Sequence, residues 1–136
     1  MQRIRVLVAD DYEPWRRCVS SLFSRHPEWL IVGEVSDGVE AVRKAAELKP
    51  DVVLLDLSLP RLNGVEAANR IRLSTPMTKI VFITAYRDSE AKETVLRNQA
   101  DGYVLKWEIS RELPPAIEAI VCGRKFVSAR LDDLRP

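Results

Sequence analysis

The sequence predicts a doubly wound α/β domain, a parallel sheet with helices on both faces. Three observations point to it. Short runs rich in Val, Ile and Leu, apolar at successive positions, alternate with stretches whose apolar residues recur at helical spacing. Strands covered on both faces read as continuous apolar runs, whereas the helices covering them carry one apolar stripe. The chain has 136 residues, 46% of them hydrophobic and 30% charged, which suits one domain with a real core and a solvated surface and excludes disordered or fibrous classes. The alternation runs along most of the chain without an internal repeat, a low-complexity stretch or a linker, so consecutive strands are joined by right-handed crossovers.

Five strands are expected, at Ile4–Ala9, Leu30–Val35, Val52–Leu55, Lys79–Thr84 and Gly102–Leu105. Between them Trp15, Cys18, Val19, Leu22 and Phe23 mark a first helix, Ala41, Val42, Ala45 and Leu48 a second, and Val65, Ala68 and Ile71 a third. Ser89 is placed to cap a weaker fourth helix running to Asn98, and Ser110 a fifth ending near Cys122–Gly123. Pro114 and Pro115 fit that fifth helix only in its first turn, where a missing N–H costs nothing. Residues 1–123 make up the domain, and 124–136, ending in the polar stretch Asp132–Asp133, a C-terminal tail or the start of a linker.

For five strands the common order is 2-1-3-4-5, the flavodoxin-like arrangement, with its crevice at the carboxyl ends of strands 1 and 3, where the winding reverses. Strand 1 ends in Asp10–Asp11, strand 3 in Asp56, strand 4 in Thr84 and strand 5 in Lys106. In that order these strands are successive neighbours, so the four ends converge. Strand 2, the remote edge, ends in Val35–Ser36 and offers little. Three carboxylates brought together repel one another unless a cation sits among them. Mg²⁺ suits such a site, because it takes hard oxygen ligands and is commonly held by one or two carboxylates plus phosphate oxygens. No His or Cys stands near these positions, which leaves zinc and iron without support. A carboxylate nucleophile beside Mg²⁺, a lysine and a hydroxyl is what formation of an aspartyl phosphate requires, and Asp56 is the expected phosphoacceptor.

Charge and targeting signals exclude several alternatives. Twenty-one Lys and Arg against twenty Asp and Glu leave a net charge of +1, without the basic excess of a nucleic-acid or anionic-membrane surface. The aliphatic runs are too short to cross a membrane or form a signal-peptide core, so the cytoplasm is the expected location. Cys18 and Cys122 are expected to be reduced, buried thiols.

The ordered segments Val8-Ala9-Asp10-Asp11, Val53 to Gly64, Ile83-Thr84-Ala85 and Gly102-Tyr103-Val104-Leu105-Lys106 resemble the receiver domain of two-component response regulators. The resemblance reaches to about Gly123. It implies that Asp56 is phosphorylated by a sensor histidine kinase or phosphotransfer protein. Asp11, Asp56 and the Ser58 backbone carbonyl would ligate Mg²⁺, with Asp10 acting mainly through a coordinated water. Thr84 and Lys106 would hold the phosphoryl oxygens, and Tyr103 would be the aromatic switch that turns inward when Thr84 moves. The domain would then be a phosphoacceptor switch with self-catalysed transfer and autodephosphorylation rather than a turnover enzyme.

The segments around Ala100 to Tyr103 and Gly123 to Ser128 look most like receivers that precede a LuxR-type helix-turn-helix domain. No such domain follows here, so the chain is read as a receiver cut from a longer regulator or as one that signals by contact. On either reading it does not itself bind DNA specifically. Output is expected on the face made by the fourth helix, fifth strand and fifth helix, where Tyr103, Arg87, Lys92 and Trp107 stand, with a homodimer or a change of partner on phosphorylation. Trp107 stands where many receivers have proline, so the Lys106–Trp107 bond is expected to be trans.

Two other classes fit the residues less well. A phosphohydrolase of the haloacid dehalogenase type also forms an aspartyl phosphate, but it looks for a second carboxylate two residues past the nucleophile, where this chain has Ser58. A flavodoxin-type flavin carrier needs a phosphate cradle after strand 1, where Asp10 and Asp11 repel an anion. At the rim of the site stand Ser58 and Tyr86. The Tyr86 ring is expected to shield the phosphoryl group from in-line water and give a phosphorylated state lasting minutes or longer; its loss would speed decay by roughly tenfold.

Overall fold

The structure, a computed structural model, describes residues 3–85, 93, 97 and 100–128. Its strands are β1 (Ile4–Ala9), β2 (Trp29–Val35), β3 (Val52–Asp56), β4 (Lys79–Thr84), β5 (Gly102–Leu105) and β6 (Phe126–Val127), and its helices α1 (Glu13–Phe23), α2 (Gly38–Leu48), α3 (Gly64–Ser74) and α4 (Ile109–Val121). All strand pairs are parallel, in the order β2-β1-β3-β4-β5-β6. The expected order is therefore present, with one strand added at the edge.

Alternation along the strands builds two cores. Val6, Val8, Val52, Leu54, Val81, Ile83 and Val104 face one side, where they meet Trp15, Val19, Leu22 and Phe23 of α1 and Leu113, Ala116, Ile117 and Ile120 of α4. Leu7, Ala9, Val53, Leu55, Ile80, Phe82, Tyr103 and Leu105 face the other, against Ala41 and Ala45 of α2 and Ala67, Ala68 and Ile71 of α3. Small alanines on α2 and α3 let those helices approach the sheet closely. Among the described residues no helix is long and apolar enough to cross a membrane.

Local chemistry sets the helix starts. The Asp37 side chain accepts from the Glu40 N–H at 2.8 Å and Asn63 from the Glu66 N–H at 2.9 Å, so both α2 and α3 begin on a side-chain cap. Pro14 occupies the first turn of α1, where its missing N–H is harmless.

Several expectations need correction. α4 starts at Ile109 after a 3₁₀ turn at Lys106–Glu108, so Ser110 lies inside the helix and is not its cap. Pro114 and Pro115 lie inside α4, not in its first turn. The apolar residues Leu113, Ala116, Ile117 and Ile120 are buried at the prolines' own turn and beyond, so packing against the sheet holds the helix through the lost N–H bonds. Cys18 and Cys122 are free thiols, but both are exposed rather than buried. Cys18 sits at the flank of the α1 stripe and Cys122 just past the end of α4. No peptide bond among the described residues is cis, including Lys106–Trp107. Of the fourth expected helix only Glu93 and Arg97 are described; the Arg97 N–H donates to the Glu93 carbonyl at 2.9 Å, the spacing of one helical turn. The rest, with Arg87 and Lys92, lies outside the described residues.

β6 lies in the stretch read from sequence as a tail. Phe126 N–H donates to the Asp101 carbonyl at 3.1 Å and Ser128 N–H to the Tyr103 carbonyl at 2.8 Å. The Ser128 hydroxyl, fully buried, donates to Glu112 Oε1 of α4 at 2.5 Å. A strand of two residues has no sequence signal of its own; the buried serine–glutamate pair fixes it. Replacing Ser128 with alanine deprives a buried carboxylate of a donor, and we expect urea unfolding to show a loss of about 1–3 kcal/mol. An unchanged midpoint would mean that the pair contributes nothing to holding β6.

Candidate functional site

The carboxyl ends of β1, β3, β4 and β5 bring together the residues expected there. β1 runs out at Ala9, and Asp10 follows with no exposure; Asp56, the last residue of β3, is 5% exposed, and Thr84, the last of β4, is 3% exposed. Asp11 is exposed at the mouth. One carboxylate oxygen from each of Asp10, Asp11 and Asp56 lies within 4.8 Å of the others. Lys106, just past β5, places its ammonium 2.7 Å from Asp10 Oδ2 and 3.6 Å from Asp56 Oδ2.

Backbone donors orient the two buried carboxylates. Asp10 Oδ1 accepts the Tyr12 N–H at 2.8 Å, an Asx turn that leads the chain into α1. Asp56 Oδ1 accepts the Ser58 N–H at 3.2 Å, which sets the exposed Ser58 in the loop directly past the carboxylate. That loop is pinned in turn, because Leu57 N–H donates to the Ile83 carbonyl at 3.2 Å and Gly64 N–H to the Leu57 carbonyl at 3.0 Å. Arg61 takes a left-handed φ of 68° in the same loop and pairs with Asp37 at 3.3 Å.

Burial pushes the Asp56 carboxyl above the usual carboxylate range, and the neighbouring Asp10 charge adds to that. The Ser58 N–H and the Lys106 ammonium pull the other way without cancelling it. Asp10 Oδ2 is buried and makes no hydrogen bond of good geometry; its close approach to Lys106 is an ion pair only, so acceptor capacity is left over. Crowded hard oxygens with spare lone pairs, and no nitrogen or sulfur donor in the cluster, fit Mg²⁺. Asp10, Asp11 and Asp56 are the side chains that would hold it.

Tyr103 is fully buried in β5, paired in register with Phe82 of β4. Its ring lies inside the core on the α2–α3 side of the sheet, so it is already turned inward rather than standing on the output face as expected from sequence. Trp107 is 59% exposed, just past the site lysine. Tyr86 lies outside the described residues.

Two neighbours of the site were not singled out for it from sequence. Trp15 of α1 lies under the Lys106 ammonium, 5.1 Å from ring centre to nitrogen. Arg16 donates to the Asp10 carbonyl at 2.5 Å and pairs with Glu34 at 3.3 Å. Trp15 was legible only as one of the apolar residues on the α1 stripe, and Arg16 carried no signal.

A carboxylate buried at the end of a central strand, two further carboxylates within reach and a lysine across the crevice stand at the switch point of a doubly wound sheet. Residues 6–118 match the response regulator receiver domain, and the chain belongs to that family. It is thus a receiver of two-component phosphorelay signalling, a class of signalling switches. It is 37% identical to the oxygen regulatory protein NreC of Staphylococcus aureus over 129 residues, which are 94% of this chain and 59% of that protein. The chain therefore spans about three fifths of the length of the curated relatives it matches. Among solved structures it is similar to a two-component response regulator of the LuxR family from Aurantimonas sp. SI85-9A1, with a TM-score of 0.89 and 33% identity over 97% of this chain and 94% of that one. It is also similar to the signal receiver domain of NarL from Mycobacterium tuberculosis, with a TM-score of 0.84 and 29% identity over 91% of this chain and 100% of that one.

Proposed function

We propose that this domain accepts a phosphoryl group on Asp56 from the phosphohistidine of a sensor histidine kinase or phosphotransfer protein. The observation that carries this reading is the Asp56 carboxylate flanked by Asp10, Asp11 and Lys106 at the switch point of the sheet. An oxygen of Asp56 attacks phosphorus, the phosphorus–nitrogen bond breaks, and the imidazole leaves with the bond's electron pair. When bound, Mg²⁺ supplies charge neutralisation for the transferring oxygens. Lys106 pairs with one of those oxygens and Thr84 donates to another. In this reading the Ser58 carbonyl would also hold the ion, and Asp10 would act mainly through a water bound to it. Self-catalysed transfer and slow hydrolysis follow from the same residues.

The output is transcriptional in this reading, through a domain beyond this chain, as the similarity to LuxR-family regulators supports. The switch is the Thr84–Tyr103 pair, and the surface of the expected fourth helix, β5 and α4 changes partner or pairs with a second copy. The cytoplasm is the setting that suits a kinase partner. The near-neutral charge supports a receiver that leaves DNA contact to its output domain.

Incubation with acetyl phosphate and Mg²⁺, followed by intact mass, is expected to show one phosphate that alkali removes; absence of any adduct would overturn the reading. Asp11→Ala, which removes an exposed carboxylate from the cluster, is expected to weaken Mg²⁺ binding by roughly tenfold or more by titration calorimetry and to slow phosphorylation in parallel. Unchanged Mg²⁺ affinity would remove Asp11 from the ligand set.

A further inference from the structure

Lys106 has more demands on it than its two carboxylate contacts satisfy in every state. Its ammonium is held at 2.7 Å by Asp10 Oδ2 and at 3.6 Å by Asp56 Oδ2. Both carboxylates belong to the cluster that would draw a divalent ion, and Asp56 is the proposed phosphoacceptor. Attraction of these carboxylates to such an ion would weaken their hold on the ammonium at the stage when it is needed beside the phosphoryl oxygens. Among the described residues the remaining contact is the Trp15 ring, whose centre is 5.1 Å from Nζ, within the range at which an indole face attracts a cation.

Trp15 is 8% exposed, and its buried Nε1–H has no hydrogen-bond partner among the described residues. A buried N–H left unpaired carries a desolvation cost that phenylalanine or leucine would avoid. The helix stripe needs only an apolar residue at this position. The ring's cation-facing surface accounts for an indole where packing alone would not select one.

We propose that Trp15 is a positioning residue for Lys106: its indole face retains the ammonium over the site when Asp10 and Asp56 are engaged elsewhere. This rests on the reading of Asp56 as phosphoacceptor. The α1 helix then contributes to phosphoryl transfer through the lysine without touching the transferred group.

The test is a cycle of variants assayed for phosphorylation by acetyl phosphate with Mg²⁺, together with NMR of the lysine ε-methylene protons in the metal-free protein. Trp15→Leu is expected to slow phosphorylation by about three- to tenfold, with Trp15→Phe in between, because the phenyl face attracts a cation less strongly than indole. In a Lys106→Ala background, Trp15→Leu is expected to have no further effect, since the group it positions is gone. The Lys106 ε-methylene resonance is expected to be shifted upfield by the ring in the parent chain and to lose that shift in Trp15→Leu.

Equal slowing by Trp15→Leu with and without Lys106 would mean that the ring acts through packing alone and would overturn the proposal. An unshifted Lys106 resonance in the parent would do the same. Should Trp15→Leu fail to fold, the Trp15→Phe cycle and the parent resonance decide. A parent chain that takes up no phosphate would instead overturn the phosphoacceptor reading, leaving the resonance test to report on Trp15 by itself.

Discussion

Asp56→Asn is expected to take up no phosphate from acetyl phosphate and Mg²⁺ while the parent chain gains a single adduct by intact mass. An amide is neither a competent nucleophile nor an anionic ligand, so the substitution removes the bond-forming atom and one arm of the cation site together. The fold is expected to survive, because the Ser58 N–H that Asp56 Oδ1 accepts at 3.2 Å finds the same acceptor in the asparagine carbonyl. Without metal the variant is expected to be more stable than the parent at neutral pH. Burial and the Asp10 charge raise the carboxyl's pKa in the folded state above its unfolded value. The folded chain therefore holds that proton more tightly, and the stability this gives is fully present below the ordinary carboxylate pKa and is lost as pH rises through the raised one. Urea midpoints in chelator should thus favour Asp56→Asn at pH 7 and converge toward the parent at acid pH. Mg²⁺ should then stabilise the parent and not the variant. A phosphate adduct on Asp56→Asn would sink the site assignment.

The five longer strands were legible as continuous apolar runs and the first three helices because each is long enough to display its apolar stripe. Asp10, Asp11, Asp56, Thr84 and Lys106 were legible as a group because the 2-1-3-4-5 order turns strand ends far apart in sequence into neighbours. The sixth strand was not, since Phe126–Val127 is held by the Ser128 hydroxyl on Glu112 and by backbone bonds to β5, contacts that exist only once the sheet has formed. The prolines misled for a related reason. A local rule forbids Pro114 and Pro115 inside a helix, but burial of the α4 stripe around and beyond them outweighs it. Trp15 read as core and is core, and its second contact, with Lys106, depends on α1 and β5 flanking the same crevice.

Gly64→Ala is expected to destabilise the chain by about 3 kcal/mol or more, against a typical domain stability of roughly 5–15 kcal/mol. At an open helix position the same change would help by about 1 kcal/mol, because alanine is the better helix former. Here a Cβ on Gly64 would stand 2.5 Å from the Asp56 carbonyl oxygen and 2.7 Å from the Leu57 Cα, both backbone atoms at the end of the strand that carries Asp56. Neither can swing aside as a side-chain tip can. The loop is also closed by the Gly64 N–H bond to the Leu57 carbonyl at 3.0 Å, and the first turn of α3 is fixed by the Asn63 cap. Relief therefore requires α3 to back away from β3, which opens the packing of Ala67, Ala68 and Ile71 and displaces Asp56 from its neighbours. Phosphorylation should fall in the fraction that remains folded. Gly123→Ala is the control, since nothing lies within 4 Å of its added Cβ and its φ of +84° makes the strain purely one of backbone conformation. That variant should lose about 1 kcal/mol and keep the parent phosphorylation rate. Parent-like urea midpoints and phosphorylation rates in Gly64→Ala would show that the loop between β3 and α3 yields, and that the close approach does not set the position of Asp56.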